Sequence, residues 1–191
     1  LTHHGRTFAP AISPDGNQLA YTVRHEEDVA IWIANRDGTD PRWLVGQAWD
    51  ATWSPDGAWI LHASDRGGTI QLWVIRADGR ELRQVTDLNG LRGRSDWSRV
   101  GNRLATYAGP AWEREIVSFD SMGEHLRWLT DGGNNLAPSF SPDGQWIVFT
   151  SYKDRYRDDH GCEIYMMRVN EGMSTRLTDN DYCDWQPRWG P

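Results

Sequence analysis

The sequence predicts an all-β fold, a β-propeller of four-stranded antiparallel blades with four complete repeats and the first strand of a fifth. Three observations predict it. A Ser-Pro-Asp-Gly turn recurs at Ser13, Ser54 and Ser141, with a degraded copy at Ser98, in steps of 41, 44 and 43 residues. A second landmark keeps time with it: Leu44-Val45, Val85-Thr86, Leu129-Thr130 and Leu177-Thr178. The segments between these landmarks are short, rich in β-branched and aromatic residues, and free of helical spacing. Four-stranded units of about 40–45 residues are the signature of propeller blades.

The repeat justifies each element in turn. Residues 1–7 read as the tail of a preceding repeat. Blades are predicted at about 8–45, 49–86, 93–130 and 136–178, and 185–191 reads as the first, innermost strand of a fifth. Within the second copy, Ala51–Trp53 leads into the Ser54–Gly57 turn. Trp59–Ala63, Ile70–Ile75 and Glu81–Thr86 then complete a four-strand meander. Proline presets φ at the second turn position, Ser and Asp bond the turn backbone, and Gly takes the positive φ. The two turn glycines lie 22 residues apart in the first three copies and 28 apart in the fourth, from Gly144 to Gly172. The excess falls in Lys153–Gly161, between the second and third strands. Among the 12 Trp, the strand residues Trp32, Trp59, Trp73 and Trp146 are assigned to packing between stacked blades.

The phrase Ala137–Ser151, continued by Glu163–Met167 and Arg176-Leu177-Thr178, resembles a TolB-type β-propeller repeat. The resemblance covers nearly the whole chain and is weakest in the third copy. The His and Trp-Asp signature of WD-type repeats is absent from this WD40-like pattern. The resemblance implies a propeller fold without fixing a task. Such repeats occur in periplasmic envelope components of bacteria, in sensor domains of membrane-anchored kinases and in the gating propellers of prolyl oligopeptidase-like peptidases. A ring of six or seven blades needs roughly 250–300 residues. The 191 residues and the N-terminal Leu therefore fit a fragment or an assembly of chains better than a closed four-blade ring.

Composition narrows the function. A formal charge of −7 argues against a nucleic-acid partner gripped through its phosphates. No apolar run of about 18 residues is present, so no helical membrane span is expected. No Gly-x-Ser-x-Gly elbow, His-Glu-x-x-His helix or phosphate-cradling loop occurs, so the chain is expected to be neither an enzyme nor a cofactor binder. Asp179, Asp181 and Asp184 match no calcium loop and read as turn formers, and no metal site is assigned.

Alternation of the strands sorts the connections onto two faces. The Ser-Pro-Asp-Gly and Asp-Gly turns share one. The longer connections and the links between blades share the other, where variation concentrates and binding is expected. Its candidate contact residues are Trp49, Asp50, Tyr152, Arg155, Tyr156, Arg157, His160, Asp184 and Trp185. Cys162 and Cys183 fall on the same face and form a candidate disulfide, which would suit a periplasmic or extracellular location. Two free thiols are the alternative. The leading functional expectation is a non-catalytic module that binds a protein partner, or another propeller segment or protomer, or serves in extracytoplasmic sensing. Small-molecule, peptide or glycan binding in the face pocket or channel is the second. A gating propeller or fragment of a hydrolase is the third.

Overall fold

A computed structural model describes residues 6–153 and 161–189. Every regular element among them is a strand, and every sheet has four antiparallel strands in sequence order. The first blade comprises β1 (Arg6–Ile12), β2 (Gln18–His25), β3 (Asp28–Asn35) and β4 (Arg42–Gly46). The second comprises β5 (Trp49–Trp53), β6 (Trp59–Ser64), β7 (Gln71–Arg76) and β8 (Arg83–Gln84). The third contains β9 (Asp96–Trp97), β10 (Arg103–Ala108), β11 (Glu115–Asp120) and β12 (Arg127–Trp128). The fourth contains β13 (Asn135–Phe140), β14 (Trp146–Ser151), β15 (Glu163–Arg168) and β16 (Ser174–Arg176). The chain divides into two compact units, one ending at Thr86 and one beginning at Asp87, so each holds two blades.

The repeated turn is closed the same way each time. The Ser hydroxyl donates to the Asp carboxylate at 2.6, 2.6 and 2.5 Å, from Ser13 to Asp15, Ser54 to Asp56 and Ser141 to Asp143. It also accepts the backbone N–H of Gln18, Trp59 or Trp146, the first residue of the following strand, at 2.9 Å. The Ser hydroxyl, followed by the backbone N–H two residues on, holds each of these carboxyls below the usual range. Gly16, Gly57 and Gly144 sit at φ 73°, 71° and 66°, where a side chain would be strained. In the degraded third copy Ser98 donates instead to the carbonyl of Val100, at 2.8 Å, and Gly101 keeps its positive φ of 77°.

A second device sits in the first strand of the blades. Ala9, Asp50 and Ala137, each four residues before the turn Ser, adopt φ of 49°, 55° and 51° and interrupt the ladder with a bulge. Gln186 takes φ 57°. Its N–H bonds the Thr150 hydroxyl at 3.0 Å, as that of Asp50 bonds Thr22 at 3.3 Å. Asp184 N–H meets the Cys162 carbonyl at 2.8 Å, as Asn135 N–H meets that of Arg114 at 2.7 Å. Residues 184–189 thus follow the path of a blade's first strand, although they form no ladder.

Within each unit the first strand of the later blade packs across the strands of the earlier one, β5 on β1–β3 and β13 on β9–β11. The core there is aliphatic in the first unit, with Ile31, Ile33 and Leu44 against Ala51 and Ile60. In the second unit Ile116 and Leu129 meet Phe140, Phe149 and Tyr165. This corrects the expected role of the tryptophans. Trp32, Trp59, Trp73 and Trp146 are half-buried rather than core. Three of them lie under arginines: Arg76 and Arg83 over Trp59, Arg66 over Trp73 and Arg168 over Trp146, at 4.8–5.8 Å from the ring centroid. The reason is position: their rings lie where long cationic stems from neighbouring strands or loops reach the indole, so the guanidinium covers a face that another blade would otherwise bury. The buried indole is Trp53, whose Nε1 donates to the Ala11 carbonyl of the first blade at 3.0 Å.

Candidate functional site

Because every sheet is an antiparallel meander, the connections between its second and third strands and the links between blades emerge at one end. In the second unit this end is built on the Cys162–Cys183 disulfide, whose Cα atoms are 4.4 Å apart. The bridge ties the start of β15 to the link that follows β16. Tyr152 is buried beside it, edge-on to Trp112 at 5.1 Å, with its hydroxyl 3.8 Å from the Cys183 sulfur. Tyr152 is therefore a packing residue under the link and not an exposed contact, because the apolar cluster of Leu136, Ala137 and Trp112 closes over it.

The same link is held by a buried carboxylate. Glu163, at the first position of β15, is 1% exposed. It accepts the Thr178 hydroxyl at 2.6 Å, Arg176 Nη2 at 2.8 Å and the Asn180 N–H at 3.2 Å. Burial pushes its carboxyl up, but these donors outweigh that and hold it below the usual carboxylate range. Arg176 also pairs with Asp179 at 2.7 Å, and Asn180 Nδ2 donates to Asp184 at 2.7 Å. Asp179 and Asp184 are thus engaged in fixing the link. Elsewhere, Asp120, Glu124 and His125 bring ligand atoms within 4.8 Å of one another, but the Asp120 carboxylate already accepts Met122 and Glu124 N–H and the His125 ring, as a turn former does.

With the link so anchored, two aromatic side chains stand out from it: Tyr182, 78% exposed, and Trp185, 55% exposed. In the first unit Trp49 and Asp50 occupy the corresponding place after β4 and are half-buried. Arg155, Tyr156, Arg157 and His160 lie outside the described residues. Sequence reasoning did not single out Glu163, and a signal for it was present. Gln71–Thr86, Glu115–Thr130 and Glu163–Thr178 are each bonded side chain to side chain across 15 residues, and each Thr hydroxyl also accepts the N–H of the residue after its partner. The Thr of the recurring Leu-Thr landmark is the cap of the third strand.

A small hollow of about 120 Å³ lies among Asp96, Ser139, Arg188 and Trp189. Burial raises the Asp96 carboxyl despite Arg188 at 3.3 Å and the Phe140 N–H at 2.7 Å. It stitches the first strands of successive repeats together, where the first unit uses Trp53.

Repeated four-stranded meanders stitched in this way define a β-propeller repeat protein. The chain belongs to the TolB beta propeller domain family, whose model matches residues 2–158. It is 27% identical over 190 residues to the uncharacterized peptidase YuxL of Bacillus subtilis, a match covering 74% of this chain and 29% of that protein. TolB from Acinetobacter baumannii shares the fold with a TM-score of 0.80 at 21% identity, over 94% of this chain and 45% of that one. Puromycin hydrolase does so with a TM-score of 0.72 at 21% identity, over 92% and 30%. The chain spans less than half the length of each of these proteins. Among the described residues no helix is long and apolar enough to cross a membrane.

Proposed function

We propose that this chain is a non-catalytic propeller module for protein–protein interaction in an oxidising, extracytoplasmic compartment, contacting its partner through the end of the blades that carries the long connections and links. The observation that carries this reading is the anchored link. Tyr182 and Trp185 project from a segment fixed by a disulfide and by the Glu163–Thr178–Arg176 network. Large aromatic side chains held without loss of chain entropy are what hot spots are made of. The disulfide supports the compartment, since such bonds persist where glutathione does not reduce them.

The test is site-specific photo-crosslinking in the cell of origin, with the reactive group placed at Tyr182, at Trp185 or at the exposed Met122 in the turn after β11. Discrete adducts from the first two positions, absent from the third and reduced about tenfold by Trp185→Ala in the Tyr182-labelled chain, are expected. Adducts of equal yield from Met122, or none from Tyr182 and Trp185, overturn the reading.

The likeness to YuxL and to puromycin hydrolase favours a second reading, in which the propeller gates the active site of a hydrolase. It keeps the chain itself non-catalytic. Turnover of aminoacyl-peptide substrates by the purified chain would contradict both.

A further inference from the structure

The three-blade pattern of a carboxamide or carboxylate capped by Thr fails in the first blade. At a constant offset of 41 residues, Gln71 and Thr86 become Ala30 and Val45. Three more replacements follow at the same offset. Trp73 keeps its aromatic counterpart in Trp32, Arg66 becomes His25, and Gln84 becomes Trp43. The consequence is visible as a hollow of about 560 Å³ lined by Val23, His25, Asp28, Trp32, Trp43 and Gln47. Trp32 and Trp43 are cross-strand partners on β3 and β4, and Trp43 is 58% exposed. Gly46, lacking a side chain, lets the Trp43 indole lie against the backbone, its Cζ2 being 3.6 Å from where a Cβ would stand.

What occupies the same corner elsewhere in this chain is a guanidinium. In the second blade Arg66 lies 5.2 Å over the Trp73 ring and donates to the Ser64 hydroxyl at 2.9 Å and to the Gly46 carbonyl at 2.5 Å. In the fourth, the positions of Trp32 and Trp43 are taken by Tyr165 and Arg176, which face each other across β15 and β16. The first blade supplies no such cation. Arg24, nearest in sequence, lies over the Phe8 ring at 5.8 Å. It supplies anions instead: the hairpin His25-Glu26-Glu27-Asp28 places three exposed carboxylate residues at the mouth of the hollow.

We infer that the Trp32–Trp43 hollow is a binding site for an arginine side chain presented by a partner polypeptide. The guanidinium stacks on the two indoles and its charge faces Glu26, Glu27 and Asp28. A planar cation gains dispersion and quadrupole attraction from each ring, and a cluster of carboxylates raises its encounter rate. The site is separate from the link that carries Tyr182 and Trp185, so either proposal can fail alone.

The experiment titrates the intact chain, labelled with ¹⁵N at its indoles, with the peptide amide Gly-Gly-Arg-Gly-Gly and its citrulline and lysine counterparts. The Trp32 and Trp43 indole signals are assigned from Trp43→Ala and Trp32→Phe. Arginine-dependent shifts of these two signals are expected, with at least tenfold weaker binding of the citrulline peptide and weaker binding of the lysine peptide. The exposed triple variant Glu26→Gln/Glu27→Gln/Asp28→Asn, which removes charge and no packing, should weaken binding about tenfold and remove its salt dependence. Equal binding of the citrulline peptide, binding that survives Trp43→Ala, or no shift at millimolar peptide overturns the inference. So does sedimentation showing that a second copy of the chain already covers Trp43.

Discussion

In the fourth blade, Glu163 and Thr178 meet as a buried pair at the start of the third strand, Arg176 lies across them, and a disulfide ties down the link beyond. In the first blade Ala30 and Val45 hold the same two places, an indole replaces the arginine, and the link contains no cysteine. Both blades nevertheless keep the four-strand meander and the same Ser-Asp turn. The difference teaches that ladder and turn set the register of a blade, while its corner is free to be sealed by apolar or polar chemistry. A polar seal is the more demanding: a carboxylate 1% exposed is tolerable only with every acceptor satisfied.

The comparison breaks most sharply at the disulfide. Replacing Cys162 and Cys183 by Ala opens a loop spanning 21 residues and should cost about 3 kcal/mol. It is read as a lower urea midpoint under non-reducing conditions that reducing agent no longer shifts. A midpoint within experimental error of the parent would show that the Asp184–Cys162 backbone bond and the Glu163 network hold the link unaided.

Turning the fourth corner into the first comes next. Glu163→Ala alone should cost about 2 kcal/mol, since the Asn180 N–H and Arg176 lose their acceptor. Glu163→Ala/Thr178→Val should cost less than the sum of its two single changes, because removing both partners leaves fewer orphaned groups. Strict additivity in a double-mutant cycle by chemical denaturation would deny that the pair acts as a unit.

The smallest effect at neutral pH concerns His62, which is fully buried on β6 and corresponds to Tyr21 in the first blade and Phe149 in the fourth. Burial pushes its imidazole down to about 3. The unfolded chain therefore binds the proton first, and stability falls as pH drops from the ordinary value of 6.5 toward 3, by up to about 1.4 kcal/mol per pH unit from this group. His62→Phe should change stability at pH 7 by about 1 kcal/mol or less while flattening this acid limb. Equal pH slopes in thermal unfolding of parent and variant would mean that the carboxylates of the turns carry the limb.

Much of the fold was legible because its signals are local. The Ser-Pro-Asp-Gly and Asp-Gly turns name their own backbone, and the strands between them are short and uniform. Burial was less so. Trp59 and Trp53 both read as core aromatics, and only the strand pairing shows that Arg76 lies over the first while the second reaches Ala11. At the site, Cys162 and Cys183 could be placed on one face by counting strands, and Trp185 with them. Tyr152 and Glu163 could not, because whether a side chain beside a loop points out or under depends on the path of the link that covers it. Trp43 gave no sign of its own. It becomes conspicuous when the corner of its blade is superposed on the Arg66 corner of the next.

The left-handed residue at Ala9, Asp50, Ala137 and Gln186 has a bearing on how such a chain could grow. Each unit brings its own crease, four residues ahead of its own turn, so a duplicated segment arrives with its bend already encoded and asks nothing of its neighbour. Insertions between crease and turn would misplace the bend, whereas those at the opposite end, such as the six residues by which the fourth copy exceeds the others, are harmless. Growth by copying and variation by insertion are thereby kept at opposite ends of the same small sheet.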